Sequence, residues 1–344
     1  MTNIEKVNYN NLLQNIGQVL SSGRKQAFQV VDNILVKTYW EIGKVIIEHE
    51  QKGAEKAEYG SQLLKNLSKD LKLKYGKGFS QSNIYLMRLF YLKYEIFQTL
   101  SGKLSWSHYT ELLGISDDMS RSFYEKQCIN DNWSVRELKR QRNTGLFERI
   151  ALSKDKAGIL KLSKEGQKIE TPEDIIKDPY VFEFLQIPEQ ERFKEKDLEN
   201  RLIDNLGHFL LELGKGFAFV GRQYRITLDN DHYYIDLVFY HRILKCFVLI
   251  DLKLGKVSHQ DIGQMNMYLN YFKGEECSEG DNSPIGIVLA ADKNNILVDY
   301  ATGSISNKLF ISKYLTYIPD KKVLENELRL LLEQEKKGIR HGEN

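Results

Sequence analysis

The sequence predicts a two-domain α+β chain: an all-α first half with a helix-turn-helix outline, then an α/β domain built on a mixed central sheet. Three observations carry this expectation. At 344 residues the chain is too long for one compact core. From Tyr9 to about Ser163 the apolar residues recur at helical spacing. Beyond Glu195, strand-length apolar runs alternate with helical stretches.

In the first half, Leu12, Leu13, Ile16, Val19 and Leu20 open a helical pattern that Val30, Ile34, Tyr39, Ile42, Val45 and Ile46 continue. A segment from Gly60 to Tyr75 ends at Gly76 and Gly78, which read as helix stop and turn. Ser80 or Ser82 then caps a helix carrying Ile84, Leu86, Met87, Phe90 and Tyr91. Trp106–Leu113, Ser116–Cys128 and Ser134–Gln141 read as three shorter helices, the last opened by the capping box Ser134-Val-Arg-Glu137. Between Lys164 and Lys196 the chain turns polar and holds Pro172, Pro179 and Pro188. The expected organisation is therefore a helical domain over 1–163, for DNA binding or for protein assembly, a linker over 164–194, and a second domain over 195–344.

In that second domain Glu195–Leu213 is expected as a helix with Leu198, Leu202, Leu206, Phe209, Leu210 and Leu213 buried. Strands follow at Phe217–Leu228, Tyr233–Tyr240 and Phe247–Leu254, the first pair joined by Asp229-Asn-Asp231. A helix over His259–Tyr271, strands over Ile285–Ala290 and Leu309–Ile318, and a charged helix over Lys321–Gln334 complete the pattern.

Composition excludes little. Hydrophobic residues make up 42% and charged residues 28%, and the net charge of +2 gives no global field for nucleic acid, so such a partner would need local basic patches. No apolar run is long enough to span a bilayer, and Met1-Thr-Asn-Ile-Glu-Lys is not a signal peptide, so no membrane is expected. Cys128, Cys246 and Cys277 form neither a disulfide framework nor a zinc-ligand spacing, and the expected compartment is the reducing cytoplasm.

The informative stretch is Tyr233-Tyr-Ile-Asp236-Leu-Val-Phe-Tyr240 followed by Phe247-Val-Leu-Ile-Asp251-Leu-Lys253. Side chains alternate along a strand, so Asp251 and Lys253 share a face with Leu249, and Asp236 shares one with Tyr234 and Val238. Hairpin pairing in a suitable register brings Asp236 beside Asp251. Glu199 lies one helical turn before Leu202 and Ile203, at the edge of the buried stripe. Three carboxylates converging at one end of a sheet repel unless a divalent cation holds them, and oxygen-only ligands favour Mg²⁺ or Mn²⁺. Such a centre suits phosphodiester hydrolysis, with Lys253 orienting water and offsetting charge. As a general base it is disfavoured, because neighbouring carboxylates raise an already high pKa.

These residues resemble the PD-(D/E)xK nuclease superfamily. The segments Phe219-Val-Gly-Arg-Gln223, Tyr234–His241, Asp251-Leu-Lys-Leu-Gly-Lys256 and Gly263–Tyr271 more specifically resemble the YhcG family, whose N-terminal half is a helical DUF1016 domain. The resemblance covers essentially the whole chain. It implies a restriction-endonuclease-like fold and Mg²⁺-dependent DNA cleavage, with Asp236, Asp251, Lys253 and Glu199 in the site. Gln264 and Tyr268 match a Gln-x-x-x-Tyr signature of some branches of the superfamily, where they would bind phosphate or support Lys253. Two departures stand out: an aspartate at 251 where relatives often carry glutamate, and no proline before Asp236. Relatives of this fold often cut both strands as dimers, so the resemblance also admits a homodimer.

Candidate nucleic-acid contacts are Arg222 and Gln223 on a strand, Lys256 beyond the lysine, and a basic run of Arg136, Lys139, Arg140 and Arg142 beside Trp133. Gln81, Ser82, Asn83 and Arg88 open the second helix of the helix-turn-helix outline. Two alternatives stand beside a DNA endonuclease: a nuclease acting on structured RNA, and a non-catalytic DNA-binding or regulatory protein that keeps the fold as a platform.

Overall fold

The computed structural model describes residues 3–52, 57–95, 101–152, 154, 156–187, 194–292, 306–326 and 328–330. The chain forms two compact units, Met1–Lys139 and Arg140–Asn344. Of the helix expected over Lys321–Gln334, residues 321–326 and 328–330 are helical, and the stretch after 330 lies outside the described residues.

The first unit holds α1 (Asn3–Lys52), α2 (Ala57–Tyr75), α3 (Gln81–Lys93), α4 (Trp106–Leu113) and α5 (Asp118–Asp131). The division between the units falls within α6 (Val135–Asn143). Val36, Ile46 and Ile47 of α1 and Ile84, Met87 and Phe90 of α3 are buried. A Cβ at Gly43 would collide with the Met87 backbone, so glycine is what lets α1 and α3 cross so closely. Ser80 caps α3 by accepting the Asn83 N–H at 3.1 Å. Asn83 is otherwise engaged within the fold: its Oδ1 accepts from Trp106 Nε1 at 2.9 Å, and its Nδ2 donates to the Gly78 carbonyl at 2.6 Å. Arg88 donates to Glu50 at 2.8 Å. Of the four polar residues at the start of the expected reading helix, only Gln81 and Ser82 are exposed.

The second unit begins with α7 (Leu146–Ala151) and α8 (Lys156–Glu165), then β1 (Tyr180–Val181), α9 (Glu195–Asp204) and α10 (Leu206–Leu213). It continues through β2 (Phe217–Leu228), β3 (Asp231–His241), β4 (Cys246–Lys256), α11 (His259–Tyr271), β5 (Ile285–Asp292) and β6 (Lys308–Leu315). The six strands form one mixed sheet in the order β1-β6-β5-β4-β3-β2. β2, β3 and β4 run as an antiparallel meander, while β4, β5, β6 and β1 are parallel.

Alternation along the strands divides the core between the two faces of the sheet. Val248, Ile250 and Leu252 of β4 join Leu198, Leu202, Phe209 and Leu213 of α9 and α10 on one face. Leu249 joins Ile262, Met265 and Leu269 of α11 on the other. A Cβ at Gly286 of β5 would lie 2.8 Å from Met265 Cγ, so glycine sets how closely α11 seats on the sheet.

Two features depart from the sequence expectation. The helix expected over Glu195–Leu213 is interrupted at Asn205, whose backbone (φ −112°, ψ 29°) leaves the helical region. The polar stretch 164–194 is not merely a tether. Tyr180 and Val181 pair with Tyr314 and Leu315, and Tyr180, Phe182, Leu185 and Ile187 enter the sheet core. An edge strand of two residues leaves almost no periodic signal in a sequence.

Behind this edge lies a buried ionic cluster. Glu212 of α10 is fully buried and accepts from Arg149 Nη1 at 2.6 Å, from the Val181 N–H at 3.0 Å and from Arg140 Nη2 at 3.3 Å. Burial alone would raise its pKa, but Arg149 and Lys177 hold it below the usual carboxylate range. No helix among the described residues is long and apolar enough to cross a membrane.

Candidate active site

The expected register is observed. β3 and β4 pair from His241–Cys246 up to Leu237–Ile250, so the next residues along are Asp236 and Asp251. There the ladder ends and a side chain replaces it: Asp236 Oδ2 accepts the Leu252 N–H at 2.8 Å. The Asp236 carboxyl is near enough for its charge to act on Asp251. Lys253 Nζ sits 2.9 Å from Asp251 Oδ2 and 3.6 Å from Asp261 Oδ1.

Burial and mutual repulsion make this a strained electrostatic arrangement. Desolvation, followed by the charge of Asp236, pushes the Asp251 carboxyl up to about 7, although Lys253 opposes the shift. Asp236 is raised as well, chiefly by burial, against the pull of the Leu252 N–H and Lys253. For Lys253, burial works to lower the pKa, but the charge and hydrogen bond of Asp251, helped by Glu195 and Asp261, win and raise it.

Glu199 is buried, on α9, but does not join the pair directly. Gln223 stands between: its Nε2 donates to Glu199 Oε2 at 2.8 Å and to Asp236 Oδ1 at 3.0 Å. The Gln223 backbone has φ of 47°, a left-handed conformation uncommon for any residue but glycine. Among the described residues no group of three acidic, histidine or cysteine side chains is gathered closely enough to enclose a metal ion. The arrangement is thus a carboxylate pair with a third carboxylate one amide away, where the sequence suggested three converging groups. Buried carboxylates without a counter-charge repel, and a neutral amide donor separating two of them lowers that cost.

The donor set still fits a hard divalent cation. Mg²⁺ is ordinarily held by one or two carboxylates, with water and phosphate completing its shell, and the two aspartates supply only oxygen. A buried acid and a half-buried one that cannot comfortably ionise together are also what a cation would relieve.

Gln264 and Tyr268 pair on α11, with Gln264 Nε2 donating to Tyr268 Oη at 2.6 Å and that hydroxyl donating to the Tyr234 carbonyl at 3.1 Å. Burial, then the Asp251 charge, pushes the Tyr268 phenol up to about 12. This pair buttresses the strand leading into Asp236. Asp261 went unnoticed in the sequence, although the Ser258-x-x-Asp261 capping box just past β4 could have placed it. Asp261 Oδ2 accepts the Ser258 N–H at 2.8 Å, which fixes the carboxylate beside Lys253.

The basic candidates divide. Lys256 is largely exposed, 3.8 Å from Asp292. Arg222 is exposed and donates to Asn200 Oδ1 at 3.3 Å. Arg136 and Lys139 are exposed, and Arg142 is half-buried. Arg140 instead pairs with Glu183 at 2.8 Å and with buried Glu212, so it belongs to the ionic cluster and not to a solvent-facing basic patch.

A mixed sheet with helices on both faces, carrying an Asp…Asp-x-Lys pattern at a strand end, defines the class of PD-(D/E)xK nuclease folds. Sequence comparison is specific within it: residues 173–329 match the YhcG PDDEXK nuclease domain, and residues 15–149 match the DUF1016 N-terminal domain. YhcG of Escherichia coli (strain K12) is 40% identical over 352 aligned residues, covering 93% of both chains. The chain belongs to the YhcG family of PD-(D/E)xK nuclease-domain proteins. Among solved structures, a repair endonuclease from Pyrococcus abyssi matches 38% of this chain and half of that one, at 16% identity and a TM-score of 0.26. EndoMS in complex with double-stranded DNA matches 39% of this chain and half of that one, at 14% identity and a TM-score of 0.26. Overlaps of that size carry no functional weight.

Proposed function

We propose that this protein is a Mg²⁺- or Mn²⁺-dependent DNA endonuclease. The single observation that carries the proposal is the meeting of Asp236, Asp251 and Lys253 at the point where β3 and β4 part. Asp236 and Asp251 would hold the cation, with Glu199 as the reserve carboxylate behind Gln223. When bound, the cation polarises the scissile phosphate and acidifies a water. Lys253 stays protonated, orients the attacking water and offsets negative charge developing on phosphorus. Gln264 and Tyr268 position the strand that bears Asp236. Arg222 and Lys256 supply phosphate contacts around the site, and Arg136 and Lys139 supply them in the helical unit.

DNA is favoured over structured RNA by the helix–turn–helix outline of α2 and α3, which leaves Gln81 and Ser82 exposed at the start of the second helix. The test is cleavage of plasmid DNA by the purified chain with Mg²⁺, against the same reaction in chelator and against a structured RNA. Cutting of DNA that chelator stops supports the proposal. DNA left whole under every divalent cation tried, with binding retained, would establish the non-catalytic alternative.

A further inference from the structure

The first thirty residues of α1 present a feature that the nuclease site does not use. From Tyr9 through Val31 every residue is exposed, so among the described residues this stretch buries little against its own chain. Yet it is not a polar helix. At about 100° per residue, Tyr9, Leu12, Leu13, Ile16, Val19, Leu20, Ala27, Val30, Val31 and Ile34 fall within roughly 120° of arc, with Gly23 the only other residue in that sector. Their exposure is high for such side chains: 53% for Leu12, 72% for Val19 and 62% for Ile34. An apolar stripe of that width is the face a helix buries.

We propose that this stripe pairs with the same stripe of a second copy of the chain. Three observations choose that occupant. The positions repeat by sevens, as in Leu12–Val19, in Leu13–Leu20–Ala27–Ile34 and in Tyr9–Ile16–Gly23–Val30, which is the spacing of helices that wind about each other. Residues 7–23 contain no Asp, Glu, Lys or Arg, so over that part of the seam a second copy meets no like charge, and none of the stripe's own side chains out to Ile34 would select a charged partner. The stripe runs about 39 Å along the helix. Its ten largely exposed side chains can contribute an area of the order of the ~800 Å² per partner that a stable interface buries. Gly23, at the centre of the seam, allows the two backbones to approach closely.

The test is the mass of the full chain by sedimentation equilibrium over a hundredfold concentration range. The wild type is expected at the mass of two chains. Ile16→Gln combined with Leu20→Gln, which keeps good helix formers but breaks the seam, is expected to weaken the dimer at least tenfold. Gln18→Glu, on the opposite side of the helix, should leave it intact. Circular dichroism keeps the comparison fair, since Ile16 and Leu20 are both exposed and the helical signal should be unchanged. If the double variant loses that signal, Val19→Lys alone, which sets like charges across the seam, replaces it as the disrupting variant. A wild type that sediments as one chain throughout overturns the proposal, as does a dimer that survives the disrupting variants. The readout is mass and not cutting, so its failure leaves the nuclease proposal standing.

Discussion

Asp236 accepts the backbone N–H of Leu252 at 2.8 Å, just past the last rung of the β3–β4 ladder. One carboxylate therefore does two jobs. One oxygen closes the sheet where the strands part, and the other faces Gln223. The site is built at a place where the main chain has released its own pairing, and its geometry depends on side chains.

Replacing Asp236 separates those jobs. Asp236→Asn keeps an oxygen acceptor for Leu252 and should unfold within about 1 kcal/mol of wild type, whereas Asp236→Ala should lose about 1–3 kcal/mol. Both should be inactive. Urea melts check this, and equal stability of the two variants would show that the Leu252 bond contributes nothing.

The raised pKa of Asp251 makes stability depend on pH. Its carboxyl titrates near 7 in the fold against 3.8 ordinarily, so the folded protein retains a proton that the unfolded chain releases. This contribution is complete below about pH 4 and is lost as pH rises through about 7. In chelator at about pH 8, Asp251→Asn should therefore melt roughly 5 °C above wild type, with the difference shrinking toward pH 4. Adding Mg²⁺ at the higher pH should raise the wild-type melting temperature and leave the variant unmoved. A variant that melts lower in chelator would contradict the strain assigned to the carboxylate pair.

Lys253 is held protonated by Asp251 despite its burial. Lys253→Gln should cost roughly 10²–10³-fold in kcat with little change in KM, as expected for charge stabilisation confined to the transition state. Lys253→Arg should recover part of the loss. The pH–rate profile should show no limb that disappears in the Arg variant, and such a limb would reinstate the lysine as a base.

Gln223 distinguishes a positioning role from DNA contact. Gln223→Ala leaves buried Glu199 without its donor and should lower cutting roughly 10–100-fold, the effect typical of groups that orient metal ligands. DNA affinity measured in chelator should stay unchanged. Lost affinity with intact cutting would return the residue to the DNA surface.

In the basic run, position decides the effect. Neutralising Arg136 and Lys139 together should lower the salt dependence of DNA binding by about two phosphate contacts without changing the melting temperature. Arg149→Ala should instead unfold more easily by about 3–5 kcal/mol, because it strands Glu212 in the interior. Binding that is indifferent to Arg136 and Lys139 would leave the helical unit to protein assembly.

Much of the site was legible because strands have period two. Placing Asp251 and Lys253 on one face, and Asp236 opposite Asp251, needs only alternation and a hairpin. The α11 pair Gln264–Tyr268 follows equally from helical spacing. Gln223 was singled out only as a nucleic-acid contact, and its bridge from Glu199 to Asp236 was not legible: on an exposed strand it resembles a surface residue, and nothing in the sequence announces its left-handed backbone. Arg140 was misplaced because its partners, Glu183 and Glu212, lie 43 and 72 residues away, and pairing at that range leaves no local pattern. The expected triad of carboxylates assumed direct convergence, and the structure puts an amide between two of them.

The most direct measurement is single-turnover cleavage of plasmid DNA in Mg²⁺ by wild type, Asp251→Ala and Lys253→Ala, with DNA affinity and circular dichroism recorded for each. Wild type should cut, and both variants should bind DNA and remain folded while cutting at least a hundredfold more slowly. Cutting at the wild-type rate by either folded variant would contradict the assignment of this carboxylate–lysine centre as the site of hydrolysis.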